Sequence, residues 1–368
     1  MKKGLALAFL FFALAGCRQS PFAFKPEDRI VVAKEENVDF TIGMAVGSTS
    51  ALDDDTFNAI AWQGVVQYVN RYPKTKVQRC SPHGESKEDL KKVVEELLVI
   101  KPDILLGLEE DFAKIFATVC NDYPDVNFVI LSSGGLENNN KNVVTIDFAE
   151  QQTAFLAGIA AALNSETKKV GYIGGQPNTS IERQLWGYEA GIGYANQNFG
   201  TDVQCVEPVF ADSWEDPPQG RKLAKKMYAD GVDVIYTCAA VTGKGVMYEA
   251  QVLREQGKPV WLIGVDSDLY NNGKGLDGKS VILTSAMKKL DVVIYEIFED
   301  HARGRFPGGQ YFLRYINDDG IGLPDVNKNF DEKTKTLVGE TEAMIKDGSL
   351  VIPFDMGELK AFAKSFQN

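Results

Sequence analysis

From Val38 onward, short apolar or β-branched runs alternate with longer stretches in which apolar residues return every three or four positions. That alternation predicts parallel sheets covered by helices, an α/β architecture. The runs that read as strands are 40–46, 76–80, 104–108, 128–132, 143–148, 170–174, 203–210, 234–238, 260–265 and 281–285. Helices are expected between most of them. In 55–72, Phe57, Ile60, Ala61, Val65 and Tyr68 recur at helical spacing, and in 87–99 Leu90, Val94, Leu97 and Leu98 do the same. Each stripe can cover one sheet face. No low-complexity tract or long linker interrupts 38–350, so two sheets would exchange chain by short crossings, the first of them at 147–154. Open α/β sheets bind ligands beyond the carboxyl ends of their strands. The residues just after Val46, Ser132, Phe210, Cys238, Val265 and Ser285 are therefore the places to look.

The N-terminus follows another pattern: Lys2 and Lys3, an apolar run from Leu5 to Leu14, then Leu14-Ala15-Gly16-Cys17. A run this short does not cross ~30 Å of hydrocarbon, and reads as a secretion signal. Leu-Ala-Gly-Cys resembles the lipobox of bacterial lipoproteins, in which the cysteine is acylated and becomes the N-terminus. On this reading 1–16 are removed, Lys2 and Lys3 among them, which leaves 352 residues and moves the formal charge from −12 to −14. Acyl chains on Cys17 hold the protein to the extracytoplasmic (periplasmic) face of a bacterial membrane. Residues 17–37, with Pro21, Pro26 and Lys34-Glu35-Glu36, read as the tether.

A length of 368 residues points to two domains, at ~100 to 200 residues each. The 39 basic residues are outnumbered by 51 acidic ones and form no run, which argues against a nucleic-acid partner. His83 and His301 are the whole histidine complement, a poor basis for a zinc site or a Ser-His-Asp triad. Cys80, Cys120, Cys205 and Cys238 lack CxxC spacing and read as buried thiols, with one or two disulfides left open in an exported chain. Thr242-Gly243-Lys244-Gly245 is not a phosphate loop, because Cys238 stands where the Walker pattern needs glycine. Asp266-Ser267-Asp268 with Asn271, Asn272 and Asp277 lacks the glycine and glutamate of an EF-type calcium loop. Asp53, Asp54 and Asp55 suit a helix N-terminus. A hydrolase would set such carboxylates around a metal with a histidine close by, and the sequence offers none nearby. The chain is read as a non-enzyme without metal or cofactor.

The first strand runs into Gly47-Ser48-Thr49-Ser50-Ala51-Leu52-Asp53-Asp54-Asp55-Thr56-Phe57-Asn58, then Ala61-Trp62-Gln63-Gly64. This segment resembles the basic membrane lipoprotein (purine nucleoside receptor) family of ABC-transporter binding proteins, whose first loop reads Gly-Gly, Asp-Asp-Lys-Ser-Phe-Asn and Ala-Trp-x-Gly. Further matches follow in order: Phe155 to Ala162, Val170 to Gly175, Gly187 to Gly191, Val232 to Tyr236, Thr242 to Val246, Ile263 to Asp268 and Leu283 to Lys289. The resemblance implies a type I periplasmic binding protein fold with two doubly wound lobes and a ligand cleft between them. The lobes would be 38–147 plus 289–312 and 148–288 plus 313–352, joined by three crossings, with 353–368 a C-terminal tail. It implies a monomer that delivers a small molecule to the permease and ATPase subunits of an ABC importer.

Carried over residue by residue, the resemblance makes Phe57 and Trp214 the aromatic faces that stack on the ligand, with Asp266 and Lys288 on its sugar and Asn58 nearby. A carboxylate accepts from two vicinal hydroxyls and an ammonium donates to the same oxygens. Read without the family, Trp214 is a core aromatic and Asp266 with Lys288 a strand-end salt bridge. Two positions depart from the pattern. Ser48 and Ser132 stand where purine-binding members carry carboxylates toward the base. An ionised carboxylate only accepts, whereas serine donates and accepts. Riboflavin keeps a polyhydroxyl chain, stacks, and presents C=O, N–H and C=O, so it is the expected ligand. A purine nucleoside is the alternative, and a uridine-like ligand a third.

Overall fold

The computed structural model describes residues 29–34, 37–47, 57–82, 84 and 86–366. The expected signal, the lipidation site Cys17, Ser48 and the aspartates 53–55 lie outside them. In chain order the elements begin with β1 (Arg29–Ala33), β2 (Phe40–Ala45), α1 (Phe57–Arg71), β3 (Thr75–Cys80), α2 (Lys87–Val99), β4 (Ile104–Leu108), α3 (Glu110–Val119), β5 (Asn127–Leu131) and β6 (Val143–Phe148). There follow α4 (Glu150–Asn164), β7 (Lys169–Gly174), α5 (Thr179–Phe199), β8 (Gln204–Cys205), β9 (Val209–Phe210), α6 (Pro217–Ala229), β10 (Val234–Cys238), α7 (Thr242–Glu255), β11 (Trp261–Asp266) and β12 (Ile282–Lys288). The chain closes with α8 (Leu290–Ala302), β13 (Gln310–Arg314), β14 (Ile321–Gly322), α9 (Glu332–Lys346) and α10 (Met356–Lys364).

Two sheets result, ordered β1-β3-β2-β4-β5-β6-β13 and β14-β12-β11-β10-β7-β8, with β9 also paired to β7. By internal packing the chain divides into two units. The first holds the described residues before position 48, Gln63–Ile146 and Ile294–Phe312; the second holds 57–62, Asp147–Val293 and the chain from Leu313 onward. In the first unit Leu90, Val94 and Leu97 of α2 and Phe112 and Phe116 of α3 pack with Leu105 and Phe128 of β4 and β5. In the second, Ala224 and Met227 of α6 and Val246 and Ala250 of α7 join Ile173, Ile235 and Leu262. Helix covers leave these parallel strands without a wet face, which is why β4 is buried along its whole length.

Helix α4 is buried on nearly every side. A Cβ at Gly158 would lie 3.0 Å from Ile192 N and 3.1 Å from Gly191 Cα, so only glycine lets α4 and α5 approach this closely. Gly245 has the same role: a Cβ there would meet Pro217 C at 2.7 Å, so the glycine of the phosphate-loop lookalike serves the packing of α6 on α7.

Several segments differ from the sequence reading. The run 203–210 is two short strands, because Pro208 between them has no N–H to donate. Residues 29–33, assigned to the tether, form an antiparallel edge strand on β3, from Arg29 opposite Cys80 to Ala33 opposite Lys76. The tail 353–368 contains α10, whose N-terminus is capped by the Asp355 carboxylate accepting from Gly357 N and Glu358 N, and whose Leu359 and Ala363 are buried. Positions 57–62 pack with the second unit, not with the rest of 38–147. Cys80, Cys120, Cys205 and Cys238 are free thiols.

Candidate functional site

Parallel pairing of β11 and β12 sets Asp266 opposite Met287, so Asp266 and Lys288 come out at neighbouring strand ends. Asp266 has a left-handed backbone, φ 69°. Glu109, Ser132, Asp212 and Ala240 share that conformation, each at or within two residues of a strand's carboxyl end. Non-glycine residues held there store local strain, which tends to concentrate at working sites.

Lys288 is 7% exposed, and its ammonium donates to Ser180 Oγ at 3.3 Å. Its ion pair is with Glu150 Oε1, at 3.8 Å. A salt bridge to Asp266 was the plain reading of the sequence; the structure makes Glu150 the partner. The ammonium also lies 5.4 Å from the centroid of the Phe57 ring. Burial raises the Asp266 carboxyl above its ordinary range; Lys288 opposes that shift and the Glu150 charge adds to it.

Glu150 opens α4, and its carboxylate is served from three sides. Ser180 donates to Oε1, Lys288 faces the same oxygen, and Arg183 Nη1 is 3.7 Å from Oε2. The Arg183 guanidinium lies 3.8 Å from the centroid of the Phe354 ring. Sequence reasoning missed Glu150, Ser180, Arg183 and Phe354. The available signal was a glutamate immediately beyond the strand end at Phe148, where ligand-side residues gather.

Trp214, in the loop from β9 to α6, is half-buried. Its ring covers Gly175, where any Cβ would overlap Cε3 and Cζ3. Its carbonyl accepts from Thr242 N at 3.0 Å, which ties the loop to the start of α7. Asn58 is buried in the first turn of α1. Ser132 belongs to the first unit; its N–H donates to Ile146 O at 2.9 Å, and its buried Oγ has no hydrogen-bond partner among the described residues. The second unit thus holds Phe57, Asn58, Trp214, Asp266 and Lys288, with the Lys288 ammonium near the Phe57 ring and its charge felt by Asp266.

Beside Asp266, at the ends of β10 and β11, is a cavity of about 360 Å³ whose lining includes Thr237, Lys244, Tyr248, Leu269 and Asn272. On β10, Tyr236 OH and Cys238 Sγ both donate to Gln184 Oε1, at 2.8 and 3.3 Å. Burial pushes the Cys238 thiol up to about 12, which keeps it protonated and unreactive. His301 stacks on Phe40 in the first unit, 5.0 Å between centroids. Among the described residues no group of three or more His, Cys, Asp or Glu side chains is disposed to hold a metal ion.

Residues 41–352 match the model of the Bmp family, described as ABC transporter substrate-binding protein PnrA-like. The CD4+ T-cell-stimulating antigen of Listeria monocytogenes serovar 1/2a is 30% identical over 360 residues, 96% of this chain and 99% of that protein. The ABC transporter nucleoside-binding protein BmpA of Lactococcus lactis subsp. cremoris is 33% identical over 257 residues, 68% of this chain and 71% of its own. Among solved structures, an ABC transporter system solute-binding protein from Aeropyrum pernix K1 superposes with a TM-score of 0.76 at 21% identity, over 89% of this chain and 96% of that one. The two helix-covered sheets of this chain thus share that protein's fold. The chain is a substrate-binding protein of an ABC transporter and belongs to the PnrA-like family.

Proposed function

We propose that this protein captures riboflavin outside the cytoplasm for an ABC importer, anchored to the membrane by lipid on Cys17. Phe57 and Trp214 stack on the isoalloxazine ring, Asp266 accepts from ribityl hydroxyls, and Lys288 donates to the same oxygens, with Asn58 alongside. The observation that carries the ligand class is the approach of an aromatic ring, a buried ammonium and a carboxylate at adjoining strand ends. A hydroxylated chain on a flat ring satisfies all three. Ser132, whose buried hydroxyl both donates and accepts, favours the pyrimidinedione edge of a flavin over a purine. Ser48 is assigned the same role from its place in the first loop.

A purine nucleoside is the second reading, favoured by the Lactococcus lactis relative that is named as nucleoside-binding. An absorption spectrum of the purified protein, then calorimetry with riboflavin, adenosine and inosine, separates the two. A yellow preparation and tight riboflavin binding support the first. Tight adenosine or inosine binding with none of riboflavin would install the second. Replacing Cys17 by serine is expected to release the protein from membranes, and a Cys17→Ser protein that stays membrane-bound would overturn the anchor.

A further inference from the structure

We propose that Glu150 is a positioning residue for the ligand site: with Ser180 and Arg183 it holds the Lys288 ammonium beside Asp266, and so sets how tightly the ligand's hydroxyls are gripped. The inference rests on the ligand reading above and deepens it. Four side chains from three elements converge here. Glu150 opens α4, Ser180 and Arg183 lie in the first turns of α5, and Lys288 ends β12. An ammonium has three donors. Ser180 Oγ takes one at 3.3 Å, and Glu150 Oε1 attracts the ammonium as an ion pair at 3.8 Å, beyond hydrogen-bond distance. Arg183 stands at 3.7 Å from the other carboxylate oxygen, an ion pair without a hydrogen bond, and is backed by the Phe354 ring; the carboxylate is thus hydrogen-bonded through Oε1 and steadied by charge at Oε2.

A lysine side chain carries much rotamer entropy, and a ligand that had to order it would bind more weakly. Here the chain orders Lys288 in advance, through the buried Glu150 and Arg183 and the half-buried Ser180. Glu150 and Asp266 also balance Arg183 and Lys288 in formal charge, so the grouping suits an uncharged polyol. The ionisable groups that face Asp266 are Lys288 from β12, Glu150 from α4, and Cys238 and Tyr236 from β10. Burial keeps the thiol and the phenol neutral, so Glu150 and Lys288 are the charges Asp266 senses.

Glu150→Gln keeps the shape and removes the charge. In the ligand-free protein, carbon-13 NMR of the Asp266 carboxyl is expected to show a lower titration midpoint, because a negative neighbour has gone. Calorimetry with riboflavin and with inosine over the same pH range is expected to show affinity falling roughly tenfold. Its acid limb should move down with the midpoint. Glu150→Asp, which restores the charge, is expected to return the midpoint toward the native value. Native affinity with a native midpoint in Glu150→Gln overturns the proposal. Uniformly weaker binding with an unmoved midpoint also overturns it, since that marks a structural role alone. If Glu150→Gln does not fold, Ser180→Ala decides: a several-fold loss of affinity supports the proposal and native affinity refutes it. A moved midpoint in a protein whose native form binds neither probe supports the hold on Lys288 and overturns the ligand reading instead.

Discussion

Substituting Gly175 by alanine tests the assignment of Trp214 without touching any polar group of the site. Gly175 follows β7, and the Trp214 ring lies flat enough on it that an added methyl would overlap Cε3 and Cζ3 and come within 3.1 Å of Cδ2. Carbon atoms pack at ~3.5 to 4.0 Å, so the ring must retreat by about 1 Å. Trp214 is half-buried and has room to give on its outer side. The stability cost should therefore fall at the low end of the overpacking range, about 1 kcal/mol. Binding should suffer more, because a displaced ring no longer meets the ligand face. Truncating a central aromatic anchor typically costs ~2 kcal/mol, or roughly 30-fold in Kd. Gly175→Ala should approach that loss, Trp214→Ala should reach it, and the double variant should lose no more than Trp214→Ala, since both act on one contact. Riboflavin titrations by calorimetry, paired with thermal unfolding, separate the two effects. A folded Gly175→Ala protein with native affinity would refute the placement of Trp214 against the ligand.

Asp266→Asn should separate stability from function. Burial raises the Asp266 carboxyl in the folded state, so its contribution to stability is fully present below the unfolded carboxyl range, about pH 4, and is lost as pH rises through the folded value. Asparagine is thus expected to stabilise the ligand-free protein at neutral pH, to lose that advantage in acid, and to weaken ligand binding; urea unfolding at both pH values checks the sign. Asp233 accepts from Ser165 Oγ at 2.7 Å and from the N–H groups of Glu166 and Thr167 at 2.6 and 2.8 Å. Asp233→Ala should destabilise the protein by about 3 kcal/mol through the unsatisfied donors, and a loss under about 1 kcal/mol would contradict the bonding pattern. Gly191→Ala, whose Cβ would meet Phe155 C at 2.8 Å, should cost about 3 kcal/mol by forcing α4 and α5 apart. Removing the chain through Ala33 uncovers the edge of β3, and self-association seen by analytical ultracentrifugation is the expected result.

The alternation of apolar runs determined the α/β class and nine strands in the expected places, because fully buried parallel strands and amphipathic helices leave strong local signatures. Motif order was enough for the family, whose model spans 41–352. It was also enough to name Asp266 and Lys288, which come out at neighbouring strand ends because β11 and β12 pair in register, and Phe57, whose ring lies 5.4 Å from the Lys288 ammonium. The two-residue strand β14 carried little local signal, and pairing with the edge of β12 defines it, while the run 203–210 gave no sign of its division into β8 and β9 beyond Pro208. Strand β1 and helix α10 escaped for a related reason, since their charged and proline-rich surroundings resemble linkers and only packing on β3, and on α5 and Phe155 of α4, gives them a place. Beyond its place just after a strand end, nothing in the sequence marks Glu150 as a site residue, because its partners lie 30, 33 and 138 positions away, at Ser180, Arg183 and Lys288. Sequence spacing reports periodicity within an element. The meeting of charges from α4, α5 and β12 is set by sheet order and helix packing, and only the tertiary structure decides it.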